Sequence, residues 1–161
     1  MKVLILGASS DIGLAVCEIY LSKGWSVLAH YRTSCLELQR LVNENPDRIE
    51  LIKLEFEIPN DLEAYIQCNQ DKICECDALI NCAAMYAPDK FSKLTSSNLI
   101  HTFSVNVIPG LIFMKNMAPK MTERNWGGTQ DHQLSHGLLW KFHSILIYQS
   151  QGKRRPLKNF S

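Results

Sequence analysis

A short apolar run, Met1 to Leu6 (MKVLIL), stops at Gly7 and gives way at once to a helical pattern. This junction constrains the chain more than any other feature. An unbroken apolar run of this length reads as a strand buried on both faces, which implies a parallel sheet. Asp11 to Lys23 carries Ile12, Val16, Ile19 and Tyr20 at helical spacing, with Gly24 just beyond as a C-cap. Ser26 to Tyr31 (SVLAHY) reads as a second strand. Cys35 to Val42 reads as a short amphipathic helix with leucines at 36, 38 and 41, and Ile49 to Leu54 as a third strand. Asn60 is placed to cap a helix to about Gln70, with Leu62, Tyr65 and Ile66 turned inward. Asp77 to Asn81 supplies a fourth strand, and helices over about 96–105 and 106–121 follow. Pro109 suits a helix start, and Pro119 falls where a last turn would end. Strands alternating with helices at this spacing predict βαβ units, a parallel sheet and right-handed crossovers.

Composition narrows the function. The 161 residues suit one domain, and 17 basic against 16 acidic side chains leave a net charge of +1. No large single-sign field exists to steer nucleic acid. No stretch approaches the ~18–20 continuous apolar residues of a bilayer span, and the first apolar run is too short for a signal-peptide core. A soluble, cytoplasmic protein with no nucleic-acid or membrane partner is expected. The six cysteines (17, 35, 68, 74, 76 and 82) are irregularly spaced, as reduced, packed thiols would be. Cys74-Glu75-Cys76 has one intervening residue where structural zinc sites use two to four, so no metal is expected.

Chemistry concentrates in Gly7-Ala8-Ser9-Ser10-Asp11-Ile12-Gly13, between the first strand and the first helix. A loop in that place brings a helix N-terminus to the carboxyl edge of the sheet. Unpaired N–H groups and the helix dipole can then hold a diphosphate. Gly7 permits the tight turn, Gly13 lets the helix approach the strand, and the Ser9 and Ser10 hydroxyls can donate to phosphate. The plainer alternative is a βα turn with Asp11 as the N-cap.

Together with four later segments, this loop resembles the first turn of the short-chain dehydrogenase/reductase family, Gly-x-x-x-Gly-x-Gly. Gly7, Ile12 and Gly13 match, while Asp11 replaces the middle glycine and sets a carboxylate near an anionic coenzyme. Arg32 follows the second strand, where the family places its adenosine-ribose discriminator. With no acidic residue at 30–34, the resemblance implies NADP(H) rather than NAD(H), with Arg32 holding the 2′-phosphate. Glu55-Phe56 resembles the pair that brackets the adenine ring. Asn81-Cys82-Ala83-Ala84 resembles the family's Asn-Asn-Ala-Gly segment, with matches at Asn81 and Ala83. Asn106, within Asn106-Val107-Ile108-Pro109-Gly110, resembles the asparagine that holds a water in the family's proton relay.

The resemblance covers residues 1 to about 126 and implies an NAD(P)-binding Rossmann domain there, with an atypical tail over 127–161. The family's acid–base pair is a tyrosine with a lysine at i+4, and a serine orients the carbonyl. Ser135 and Tyr148 are the weak candidates here, but Lys153 stands at i+5, near Gly152 and Pro156. Thr129 to Leu134 is polar where a central strand should be apolar, so the sheet is expected to stop near four strands. Ser144 to Tyr148 (SILIY) is the candidate for a fifth position. Charge also shifts along the chain: −3 over residues 1–121 and +4 over 122–161. A frame change or divergent terminal exon near Gly127-Gly128 would produce such a break. His132 and His136 stand at i, i+4 without an acidic third ligand. Lys153-Arg154-Arg155 reads as a solvated basic terminus.

The reading is therefore a three-layer αβα, doubly wound parallel sheet, incomplete at its C-terminal side. The implied activity is NADP(H)-dependent hydride transfer between nicotinamide and a small carbonyl or alcohol substrate, by a chain free to form homo-oligomers. The alternatives are an inactive truncated chain and a non-catalytic NAD(P)-binding module or partner subunit.

Overall fold

The computed structural model describes residues 1–56, 59–85, 91–124 and 128–131. Five parallel strands form one sheet: β1 (Lys2–Leu6), β2 (Ser26–Tyr31), β3 (Ile49–Lys53), β4 (Ala78–Asn81) and β5 (Gly128–Asp131), in the order β3-β2-β1-β4-β5. The chain winds outward from β1 in one direction, then reverses at β4. This is the strand order of a doubly wound sheet, with the direction switching between β1 and β4.

Strand side chains alternate between faces, and each face carries its own core. Val3, Ile5, Val27 and Ala29 pack beneath α1 (Asp11–Ser22) and α2 (Leu36–Glu44), against Cys17, Leu21, Leu38 and Leu41. Leu4, Leu6, Leu28 and Ile52 face the other way, onto α3 (Pro59–Cys68), α4 (Gln70–Cys74) and α6 (Ile108–Glu123). Helix α5 (Ser96–Asn106) precedes α6, and the two break at Val107. Pro109 explains the break, because it supplies no N–H to the Val105 carbonyl one turn earlier. By length and composition 96–123 could also cross a bilayer. In this fold, however, Phe113, Met117 and Met121 are buried on the sheet.

Several expectations need correction. The buried face of α1 is Gly13, Cys17 and Leu21, whereas Ile12 and Ile19 are 47% and 51% exposed. Small residues at i and i+4, Gly13 and Cys17, let the start of this helix lie close to the sheet, while Leu14, Val16 and Tyr20 pack at the edge of its core and Ile12 and Ile19 are turned outward. Tyr20 packs edge-on against Trp25 at 5.0 Å, beside main-chain bonds from Gly24 to Leu21 and from Trp25 to Tyr20. That bond pair and its apolar contact form a Schellman close. The N-cap of α1 is Ser10, not Asp11. Leu36 is exposed, Asn60 lies inside α3 rather than capping it, and Pro119 lies inside α6, which runs on to Glu123.

The sheet does not stop at four strands. Gly128–Asp131 pairs with β4 in parallel, Ala78 opposite Gly128 and Asn81 opposite Asp131. Parallel pairing uses main-chain groups alone, so a strand of one glycine and three polar residues can extend the sheet. At the end of α6, the Arg124 guanidinium donates to the main-chain oxygens of Cys74, Glu75 and Cys76 at 3.0, 3.1 and 2.9 Å. Ser144 to Tyr148 lies outside the described residues, as do Ser135, Lys153, His132 and His136.

Candidate coenzyme site

The site is built where the strand order reverses. Gly7 leaves β1 with φ of +73°, and a Cβ there would sit 2.6 Å from both the Cα and the nitrogen of Ala83, just past β4. Only glycine accepts both the left-handed conformation and this approach. A Cβ on Gly13 would lie 2.2 Å from the Gly7 carbonyl oxygen, so the first turn of α1 rests on the loop itself. Of the three expected participants, Gly7 thus lies against both Gly13 and Ala83.

The two serines differ. Ser10 Oγ donates to the Gly7 oxygen at 2.8 Å and accepts the Gly13 N–H at 3.1 Å, so this hydroxyl is engaged in the loop rather than pointed at a ligand. Ser9 forms no such side-chain bond among the described residues. The Leu14 N–H is held by the Ser10 oxygen at 2.8 Å. Helix starts leave four N–H groups without intrahelical partners. With those of Ser10 (on the Gly7 oxygen at 3.1 Å) and Gly13 engaged, the Asp11 and Ile12 groups remain without an acceptor among the described residues. Two open donors on a positive helix end, beside a glycine cradle, fit an anion such as a diphosphate. Asp11 and Ile12 are themselves exposed at this mouth.

Beyond β2, Arg32 is exposed. Glu55 is exposed past β3, but Phe56 is only 6% exposed, held between His30 and Phe113. The Phe56 ring packs into the core under the site. Asn81 is buried, its Oδ1 accepting the Ala83 N–H at 3.2 Å and its Nδ2 donating to the Asn106 main-chain oxygen at 3.0 Å. The Asn106 carboxamide is engaged by Met85, whose N–H it accepts at 2.7 Å and whose oxygen it bonds at 3.1 Å. Of the catalytic candidates Asn106, Ser135 and Tyr148, only Asn106 lies among the described residues.

His30 was not foreseen. It is 2% exposed, directly beneath the loop, and burial lowers its pKa to about 4, so the ring is neutral at physiological pH. The available signal was a histidine within the mostly apolar strand SVLAHY. Two buried thiols are inert by contrast: burial pushes Cys17 and Cys76 up to about 12. All six cysteines are free, and among the described residues no three His, Cys, Asp or Glu side chains gather as a metal site would need.

A doubly wound parallel sheet, with a glycine turn and an open helix N-terminus at its switch point, is the architecture of a Rossmann-like α/β fold. The family model of the short chain dehydrogenases matches residues 1–129, and the chain belongs to that family. A short-chain dehydrogenase from Streptomyces avermitilis superposes with a TM-score of 0.70 at 27% identity, over 80% of this chain and 47% of that one. The bulky-bulky ketone specific alcohol dehydrogenase from Comamonas testosteroni gives 0.68 at 21%, over 80% and 52%. A Burkholderia multivorans protein described as a short-chain dehydrogenase/reductase, solved with bound NADP, gives 0.63 at 21%, over 74% and 53%. The chain spans about half the length of these proteins.

Proposed function

We propose that this chain binds NADP(H) at the β1/β4 switch point and serves hydride transfer between the nicotinamide and a small carbonyl or alcohol substrate. One observation carries the reading. Gly7 is pressed against the Ala83 backbone while the adjacent Asp11 and Ile12 N–H groups stay open, which makes a cradle that a side chain would fill. The diphosphate would lie on those amides and beside the Ser9 hydroxyl, with Ser10 shaping the loop. Arg32 would hold the 2′-phosphate by charge-assisted bonds. Glu55 and the Phe56 main chain would meet the adenine, and Asn81 with Ala83 would form the wall on the β4 side. The Burkholderia protein's bound NADP is consistent with this choice of coenzyme.

When bound, the coenzyme supplies the hydride chemistry. The chain's own described residues hold and orient it. Asn106 contributes by fixing Met85 beside the crevice, and a water-holding role in a proton relay remains part of the proposal. In this reading the protein works in the cytoplasm on a small molecule. The test is coenzyme-dependent turnover: full-length protein, NADPH and a panel of ketones and aldehydes, followed by nicotinamide absorbance. Carbonyl-dependent loss of absorbance is expected. Tight NADPH binding with no turnover on any carbonyl would leave the non-catalytic module instead.

A further inference from the structure

His30 meets the site from below and from two directions. Its Nδ1 is 3.1 Å from the Gly7 nitrogen, which donates to it, and its Nε2 is 2.9 Å from the Leu54 main-chain oxygen. A carbonyl only accepts, so the proton belongs on Nε2, and a single neutral tautomer satisfies both contacts. The ring lies flat on Phe56, with centroids 4.1 Å apart and planes inclined by 13°. The His30 main-chain oxygen accepts the Ala8 N–H at 2.8 Å, so residue 30 holds the glycine turn through backbone and side chain together. Gly7 opens the turn that would face the diphosphate. Leu54 immediately precedes Glu55 and Phe56, on the adenine side.

We propose that His30 is a positioning residue that couples the two ends of the coenzyme site, by bonding the Gly7 turn and the end of β3 to one neutral imidazole. The inference rests on the NADP(H) reading above. The groups packed on the ring are the Gly7 turn from β1, Leu54 past β3, and Phe56. Burial and the Leu54 carbonyl are the influences on its charge, and no charged side chain among the described residues acts on it. A proton on Nδ1 would set an N–H against the Gly7 N–H and release the turn. The ring must therefore stay neutral to do this work.

The test compares the full-length protein with His30→Phe, which keeps an aromatic ring on Phe56 but makes neither hydrogen bond. The variant is expected to bind NADPH about tenfold more weakly, the effect of losing one well-placed hydrogen bond. Nitrogen-15 NMR of the unaltered protein should show the imidazole proton on Nε2. Adenosine 2′,5′-bisphosphate, which reaches only the adenosine end, should shift the Gly7 amide in the unaltered protein and leave it in place in His30→Phe. An NADPH affinity within about twofold in the folded variant would overturn the inference while leaving the coenzyme reading intact. A proton on Nδ1 would do the same. Where His30→Phe fails to fold, the tautomer and the Gly7 response of the unaltered protein decide. NADPH failing to bind the unaltered protein would overturn both readings together.

Discussion

Asn81 and Asn106, 25 positions apart, are joined by a 3.0 Å hydrogen bond from Asn81 Nδ2 to the Asn106 main-chain oxygen. Asn106 in turn holds Met85 through both its N–H and its oxygen. The two asparagines fasten the exit of β4 to the break between α5 and α6. Asn106→Leu keeps the volume but leaves both Met85 groups without their partner. The expected loss is about 2–4 kcal/mol in urea unfolding, since each unpaired buried polar group costs about 1–3 kcal/mol. Asn106→Asp, which still accepts but cannot donate, should fall between. A loss below about 0.5 kcal/mol for Asn106→Leu, the level of an ordinary surface change, would show that the link contributes nothing.

Gly7→Ala should be among the most damaging single-methyl changes in the chain. The left-handed backbone disfavours any Cβ by about 1–2 kcal/mol, and the contact with Ala83 adds overpacking of about 1–3 kcal/mol. Urea midpoints and NADPH affinity should fall together. Ala at Gly7 with unchanged stability would contradict the close approach of β1 and β4.

How much of this was legible in the sequence varies from element to element. β1, β2 and β4 were readable because apolar runs bounded by glycine or polar residues have few alternatives, and Gly7 marked the switch point. The face of α1 was not readable: Ile12 and Ile19 make a convincing apolar stripe, yet close packing favoured Gly13, Cys17 and Leu21. Strand β5 was missed because GTQD has no apolar signal, and its place comes from main-chain pairing with β4. Phe56 stands out through the resemblance of Glu55-Phe56 to the family's acidic–apolar pair, whereas the packing of its ring between His30 and Phe113 is a tertiary fact that no local pattern carries.

Stability should depend on pH through His30. Its pKa falls from 6.5 to about 4 on folding, because burial disfavours the charged ring. Between those values the unfolded chain binds the proton and the native one does not, so acid favours unfolding. The contribution is complete above 6.5, shrinks as pH falls towards about 4, and amounts to about 3 kcal/mol at 1.36 kcal/mol per pH unit. Urea unfolding measured across this window should show the slope, and His30→Phe should flatten it. An equal slope in the variant would assign the effect elsewhere.

Arg32→Ala should raise the dissociation constant for NADPH about 10- to 100-fold, the size of a lost charge-assisted contact, and leave that for NADH nearly unchanged. Added salt should erode the difference between the two coenzymes. Equal losses for both would place Arg32 away from the 2′-phosphate.

Thiol reactivity should separate the cysteines. Cys68 is exposed and should react quickly with a disulfide reagent. Cys17 and Cys76, raised to about 12 by burial, should react only on unfolding. Rapid labelling of Cys17 in the folded protein would contradict the packing of α1 on the sheet.

Titration calorimetry of the folded full-length chain, first with NADPH and then with NADH, bears most directly on the switch-point site. One saturable site per chain, tighter for the phosphorylated coenzyme, is the outcome expected. No heat from either coenzyme at millimolar concentration, over more than one temperature, would show that the crevice between β1 and β4 holds no dinucleotide.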